Sequence, residues 1–304
     1  MFKLPIVFCL LPTFTSVMTR PPYLTESAIS QFIASALAED IGEGDHSTMG
    51  ALPVDLNRKA KLLIKDNGIL AGVEMATKIF HQFDPSLKLD YYKQDGDEIK
   101  KGDIAFTVEG SARAILSTER LVLNCMQRMS GIATYTNKLC KLIEGTKAKL
   151  MDTRKTTPNF RFMEKWAVAI GGAKNHRYAL YDMVMLKDNH IDMAGGIAQA
   201  IANTKKYLTS NNKDLQIEVE TRNLSEVQQV LDIGGVDVIM LDNMNTSDMK
   251  RAVTLIGYRC KTEASGGITE NNLRQVAECG VDYISVGALT HSVKSLDLSL
   301  KNVS

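Results

Sequence analysis

Nine side chains of cationic type fall within forty residues of this chain: Arg154, Lys155, Arg161, Lys165, Lys174, His176, Arg177, Lys187 and His190. The whole sequence of 304 residues has a formal net charge of only +1. The clustering is therefore local and does not follow from a general basic excess. Cations crowded into a partly desolvated place repel one another and lose hydration, so such a cluster calls for an anion between its members. Arginine grips a carboxylate with two parallel donors, while lysine and histidine add point charge. A small ligand with more than one carboxylate fits; on charge alone, phosphate is the other option.

A second set is acidic. Glu220, Asp242 and Glu263 each come after a short stretch such as "IEV", "VIML" or "RCKT". Carboxylates on neighbouring strands can hold ribose hydroxyls, or Mg²⁺ bridged to a polyphosphate. Beside them lie Ser265-Gly266-Gly267 and, within "SVGALTH", Gly287 and Ala288. Glycines there let backbone N–H groups approach an oxyanion. Together the sets imply a polycarboxylate on one side and a phosphorylated sugar on the other, a pairing suited to glycosyl transfer onto a ring nitrogen.

The elements that must hold these groups repeat. Apolar runs end near residues 151, 186, 219, 241, 262 and 286, and each gives way at once to polar or charged residues. Gaps of 35, 33, 22, 21 and 24 residues suit a strand, a helix and two loops per unit. The pattern implies parallel β/α repetition, with reactive groups at the carboxyl ends of the strands. Six units are visible where a closed barrel has eight, so the barrel is expected to be open and incomplete.

Ahead of it, residues 21–128 read as an α/β sheet domain of sandwich type. Ile29, Phe32, Ile33, Ala36 and Leu37 have helical spacing, with Thr25 and Ser27 as cap candidates. "RKAKLLIKDNGILAGV" reads as two strands around an Asp66-Asn67-Gly68 turn, and a long helix is expected from Ser117 to Leu142. The barrel is assigned to 129–288, and the tail 289–304 is expected to return to the first domain. Residues 1–20 read as a disordered extension or a mis-called start, with Met18 the alternative start; a cleaved signal is the competing reading.

Composition excludes some classes. At 44% hydrophobic and 23% charged the chain is an ordinary globular protein, and a pI near 7.6 gives no reason to bind nucleic acid or an anionic membrane. The five cysteines contain no C-x-x-C pair, which argues against zinc or a disulfide framework and for a reducing, cytoplasmic compartment. No stretch is long and apolar enough to span a membrane.

"LAEDIGEGDHST", "ERLVLNCMQRMSGIAT", "DTRKTTP", "GGAKNHRYALYDMVMLKDNHI", "EVE", "IMLDN", "SGGI" and "DYISVGALTHS" resemble, in order and spacing, the quinolinate phosphoribosyltransferases. The resemblance runs from about Leu37 to His291. It implies decarboxylating transfer of a phosphoribosyl group from phosphoribosyl pyrophosphate to quinolinate, giving nicotinate mononucleotide, pyrophosphate and CO₂ in de novo NAD synthesis. By the same resemblance Arg154, Lys155, His176, Arg177 and Lys187 are quinolinate ligands, and Arg120 joins them from the other subunit of a homodimer, with a higher oligomer open. Lys155, Lys187, Glu220 and Asp242 are implied as catalytic; Glu220 and Asp242 also hold Mg²⁺, partly through substrate. Glu263, Ser265, Gly266, Gly267, Gly287 and Ala288 complete the phosphoribosyl pyrophosphate side.

Two departures from the family pattern stand out. Asn159 replaces a usual glycine, in a loop where Asn tolerates positive φ, and "DIGGVDVI" is one residue longer than usual. The competing readings are a nicotinate-specific enzyme, a non-catalytic paralogue of the same fold, and a carrier module built on residues 60–110. The number of cations argues against the first, the intact acidic set against the second, and the unexplained second half against the third.

Overall fold

Thr25 accepts a hydrogen bond from Ala28 N and caps α1 (Glu26–Ile41), which buries Ile29 and Ile33. Phe32 of α1 meets Phe160 and Phe162 edge-on. The computed structural model describes residues 20–303; the expectations for the first nineteen residues, Met18 and Cys9 included, lie outside it. After α2 (His46–Ala51), β1 (Asn57–Ile64) turns Ala60, Leu62 and Ile64 inward with the period of two that a half-buried strand requires. Next come β2 (Gly68–Ile69), α3 (Val73–Phe83), β3 (Lys88–Tyr91), β4 (Glu98–Ile99) and β5 (Ile104–Ser111).

An antiparallel sheet of order β12-β1-β5-β3 forms from these, its first strand supplied by β12 (Leu298–Asn302) at the far end of the chain. Both edges of β1 are thus taken, and β2 pairs with β4 instead. The Asp66–Gly68 segment separates two strands as read from the sequence, but it is not a hairpin turn. The long helix, α4 (Ala112–Leu142), starts five residues before the expected Ser117. Ser111, the last residue of β5, accepts a hydrogen bond from Ala114 N and caps it directly. At about 1.5 Å per residue its 31 residues reach from the antiparallel sheet to the second half of the molecule. There it packs against α5 (Arg161–Ile170).

The second half is a six-stranded parallel sheet: β6 (Lys149–Met151), β7 (Val184–Leu186), β8 (Ile217–Thr221), β9 (Val238–Asp242), β10 (Lys261–Ser265) and β11 (Tyr283–Ser285). Their order is β6-β11-β10-β9-β8-β7. The helices α6 (Asp188–Ala194), α7 (Ile197–Ser210), α8 (Leu224–Ile233), α9 (Thr246–Ile256) and α10 (Leu273–Ala277) form the crossovers, and α11 (Ala288–His291) comes after β11. The barrel is open, because β6 and β7 are edges that do not pair. The irregular segment 171–183 spans the gap. Lys174 makes one parallel bridge to Met151, and Arg177 Nη1 donates to Met183 O at 3.1 Å.

β10 ends at Ser265, three residues later than read from "RCKT", so Glu263 lies inside the strand and is fully buried. Asn159 has φ 61, the left-handed conformation expected where the family has glycine. Among the described residues no helix is long and apolar enough to cross a membrane.

Candidate active site

The nine cations do not share one fate. Lys165 is fully buried and ion-paired to Asp152. Arg161 donates to Thr156 Oγ1 and Tyr178 O, and Lys174 lies over the ring of Tyr283. His190 Nδ1 accepts from Lys187 N at the start of α6. His176 faces two carboxylates; Arg154, Lys155, Arg177 and Lys187 remain, and among the described residues these four form no ion pair. All four line one cavity of ≈ 700 Å³ at the carboxyl ends of the parallel strands. Arg154 Nε is buried without a hydrogen-bond partner. Burial, with the charge of Arg154 beside it, lowers the Arg177 pKa, outweighing the carboxylates of Glu218 and Asp182.

Glu220 and Asp242 face the same cavity, joined by Asp188 from the first turn of α6. Burial pushes the Glu220 carboxyl up, and repulsion from Asp242 and Asp188 adds to it. Hard oxygen ligands that repel one another suit a divalent cation such as Mg²⁺, which would relieve the repulsion. Asn243, with φ 53, donates from Nδ2 to Asp242 at 2.7 Å and so braces that carboxylate.

Ser265, Gly266 and Gly267 complete this side. Gly266 has φ +87, and a Cβ on it would stand 2.3 Å from Asn243 Oδ1, so no other residue fits without moving Asn243. Gly287 is not part of the lining but packs beside it: a Cβ there would come within 3.2 Å of Lys155 Cδ and 3.1 Å of the His291 ring. Ala288, first residue of α11, is not part of the lining.

Two of the expected residues, His176 and Glu263, sit on the floor. Glu218 lies two residues before Glu220 on one strand face, hence one layer deeper. His176 Nε2 stands 3.0 Å from Glu218 and 3.3 Å from Glu263, and all five polar atoms are buried without a well-aligned hydrogen-bond partner. Glu263 lines the cavity from this floor, with its oxygens buried and one of them 3.3 Å from His176. His176 lines the cavity too, with its Nε2 directed at the two carboxylates.

Burial would lower the imidazole pKa, yet the two carboxylates outweigh it and raise it to about 10. Burial, first of all, pushes Glu218 up to about 7. Nδ1 of His176 lies 2.6 Å from Arg177 N. With Nε2 facing both carboxylates, the cluster shares its protons among the ring and the two carboxyls.

Arg120 is exposed on α4, and among the described residues it makes no ion pair; it does not reach its own chain's mouth. Asp188, Asn243 and His291 were missed as site residues. Asp188, next to Lys187, and Asn243, next to Asp242, each carried a positional signal at a strand end.

Fold and mouth together define a class: an open α/β-barrel protein whose C-terminal mouth opposes unpaired cations to a carboxylate cluster across a glycine turn. The family descriptions "Quinolinate phosphoribosyl transferase, N-terminal domain" and "C-terminal domain" match residues 45–130 and 132–301. This chain belongs to that family. It is 44% identical over 301 residues to a Nicotiana tabacum mitochondrial quinolinate phosphoribosyltransferase [decarboxylating], covering 94% of this chain and 85% of that one. A probable nicotinate-nucleotide pyrophosphorylase [carboxylating] of Synechocystis is 41% identical, covering 93% and 94%. Among solved structures, NadC from Streptococcus pyogenes superposes with TM-score 0.86 at 38% identity over 92% of this chain and 99% of that one. The Francisella tularensis nicotinate-nucleotide pyrophosphorylase gives 0.84 at 37%, over 92% and 98%.

Proposed function

We propose that the chain is a decarboxylating quinolinate phosphoribosyltransferase, a pentosyltransferase that makes nicotinate mononucleotide, pyrophosphate and CO₂ from quinolinate and phosphoribosyl pyrophosphate in de novo NAD synthesis. The observation that carries this reading is the pairing, in a member of this family, of four unpaired cations with Glu220, Asp242 and the Ser265–Gly267 turn in one cavity.

Arg154, Arg177, Lys155 and Lys187 would hold the two carboxylates of the pyridine, fixing the ring nitrogen toward the sugar. The nitrogen bonds to C1 of the ribose as the C1–O bond to pyrophosphate breaks, and positive charge develops on the sugar. Glu220 or Asp242 stabilises that charge, while backbone N–H groups of Gly266 and Gly267 cradle the 5′-phosphate. Mg²⁺, held by Glu220 and Asp242 with Asp188 near, would supply charge neutralisation for the pyrophosphate. The quaternised nitrogen then draws the electrons of the adjacent C–CO₂ bond; CO₂ leaves and the ring carbon takes a proton.

The exposed Arg120 supports a homodimer in which each subunit completes its neighbour's quinolinate site. We place the protein in the cytoplasm; import of a tagged chain into an organelle, where several plant relatives are named as residing, would overturn that.

Purified protein given quinolinate, phosphoribosyl pyrophosphate and Mg²⁺ should release CO₂ in step with mononucleotide. Nicotinate in parallel should give neither. Turnover of nicotinate without CO₂ would mean that the site for the second carboxylate has been misread.

A further inference from the structure

The segment that carries Arg177 is held by a residue from outside the barrel. Tyr23, just before α1, donates from its hydroxyl to Asn175 Oδ1 at 2.7 Å, and its ring stacks on that of Tyr178 with centroids 4.6 Å apart and 13° between planes. Both contacts fall beside His176 and Arg177. Asn175 Nδ2 in turn donates to Asp152 Oδ2 at 2.7 Å and to Lys165 O at 2.8 Å. Asp152 Oδ1 accepts from His176 N at 2.8 Å and pairs with Lys165, whose Nζ also donates to His176 O at 3.1 Å. On the outer side the Arg161 guanidinium lies over Tyr178.

This chain of contacts is continuous from the N-terminal segment to the backbone on both sides of His176. It matters because 171–183 is irregular and spans the gap between the unpaired barrel edges β6 and β7. One bridge, Lys174 to Met151, ties it to a strand. A segment with so little ladder needs its conformation fixed by side chains, and an active-site cation is only as well placed as the groups that support it. Tyr23 is itself anchored: Leu24 is 4% exposed, Leu24 N donates to Pro21 O, and Arg20 pairs with Glu26 and Glu74.

We propose that Tyr23 is a positioning residue for quinolinate binding: a strap from the N-terminal segment that sets the conformation of residues 175–178 and so aims Arg177 into the mouth. It rests on the reading that Arg177 grips a carboxylate of the pyridine. Tyr23 touches no substrate, so its removal should act on one substrate and not the other.

The test compares wild type, Tyr23→Phe, Tyr23→Ala and Arg20→Ala in steady-state kinetics, with hydrogen–deuterium exchange of peptides covering 171–183. Tyr23→Phe loses the hydrogen bond and keeps the stack; it should raise KM for quinolinate about three- to ten-fold, with KM for phosphoribosyl pyrophosphate unchanged. Tyr23→Ala should raise it further, and both should speed exchange in 171–183. Arg20→Ala, which removes the Glu26 and Glu74 pairs that anchor the same segment, should shift KM for quinolinate and exchange in the same direction as Tyr23→Phe, by less. Equal changes in both KM values, or unchanged exchange in 171–183, would overturn the strap. Failure of wild type to turn over quinolinate would instead sink the functional reading, and the exchange arm would still decide whether Tyr23 orders the segment.

Discussion

Arg128 of α4 reaches Glu164 of α5 with two donors, Nε at 3.0 Å and Nη2 at 2.7 Å, and Glu164 is fully buried. The same carboxylate accepts from Thr157 N and Oγ1, while Arg128 Nη1 donates to Val293 O and Nη2 to Thr290 O. Thr290 Oγ1 then holds Lys155 O at 2.8 Å. One ion pair thus joins the long helix to the loop that carries Arg154 and Lys155. Arg128→Ala would strand a buried carboxylate and should cost about 3 kcal/mol of stability, the low end for such losses because Arg128 keeps partial exposure. Chemical denaturation would measure it, and a change under about 1 kcal/mol would contradict the role given to the pair.

Arg154→Ala and Arg177→Ala each remove a charge whose partner is the substrate. Each should lower kcat/KM for quinolinate by an amount corresponding to about 2–5 kcal/mol, with the melting temperature held, since neither forms an ion pair within the chain. Near-wild-type kcat/KM in both would mean that the dicarboxylate binds elsewhere.

Arg120→Ala and Lys155→Ala should each be inactive alone. Mixed under conditions that exchange subunits, they should recover about a quarter of wild-type activity, because half of the dimers are hybrids and each hybrid has one intact site of two. No recovery would mean that Arg120 serves its own subunit, and an active Arg120→Ala on its own would mean that it serves none.

Asp242→Asn should shift the Mg²⁺ activation midpoint upward by about tenfold or more, since a hard cation prefers a charged oxygen. Activity titrated against free Mg²⁺ reads this out, and an unchanged midpoint would remove Asp242 from the metal's ligands.

Asp282 bears on stability in acid. Burial pushes its carboxyl up, but donors from Thr262 N and Oγ1, with Lys261 and Lys147 nearby, outweigh that and hold it below the usual range. The folded state then binds fewer protons than the unfolded chain, so this stabilisation is complete above the ordinary carboxylate pKa of about 4 and is lost as pH falls below it. Asp282→Asn should flatten the acid limb of the stability curve while costing about 1 kcal/mol or less at neutral pH. Denaturation midpoints from pH 2 to 7 would show it; an unchanged acid slope would exclude the group.

The sequence made the barrel legible because buried parallel strands are short apolar runs, each giving way to a loop at one common end of the barrel. Arg154, Lys187 and Asp242 could be placed for that reason. Glu263 could not: a carboxylate at a strand's end and one inside the barrel look alike in one dimension, and only the register of β10 against β9 separates them. His176 was grouped by charge with its neighbours, whereas its partners Glu218 and Glu263 come from two other strands. Tyr23 and Asn175 meet across 152 positions, and no local pattern announces such a contact. β2 was misassigned to a hairpin because β1's true partner lies at the other end of the chain.

That partner sets the order of events during synthesis. β1 is made early, but its ladder with β12 pairs Ala60 with Asn302, so one edge of the first sheet stays open until the barrel has been translated and its last strands have left the ribosome. Folding of the first domain is therefore completed by the end of the chain, through contacts of very long sequence separation. Premature termination anywhere in the barrel would release a fragment with a bare, apolar-faced strand edge, a ready template for aggregation.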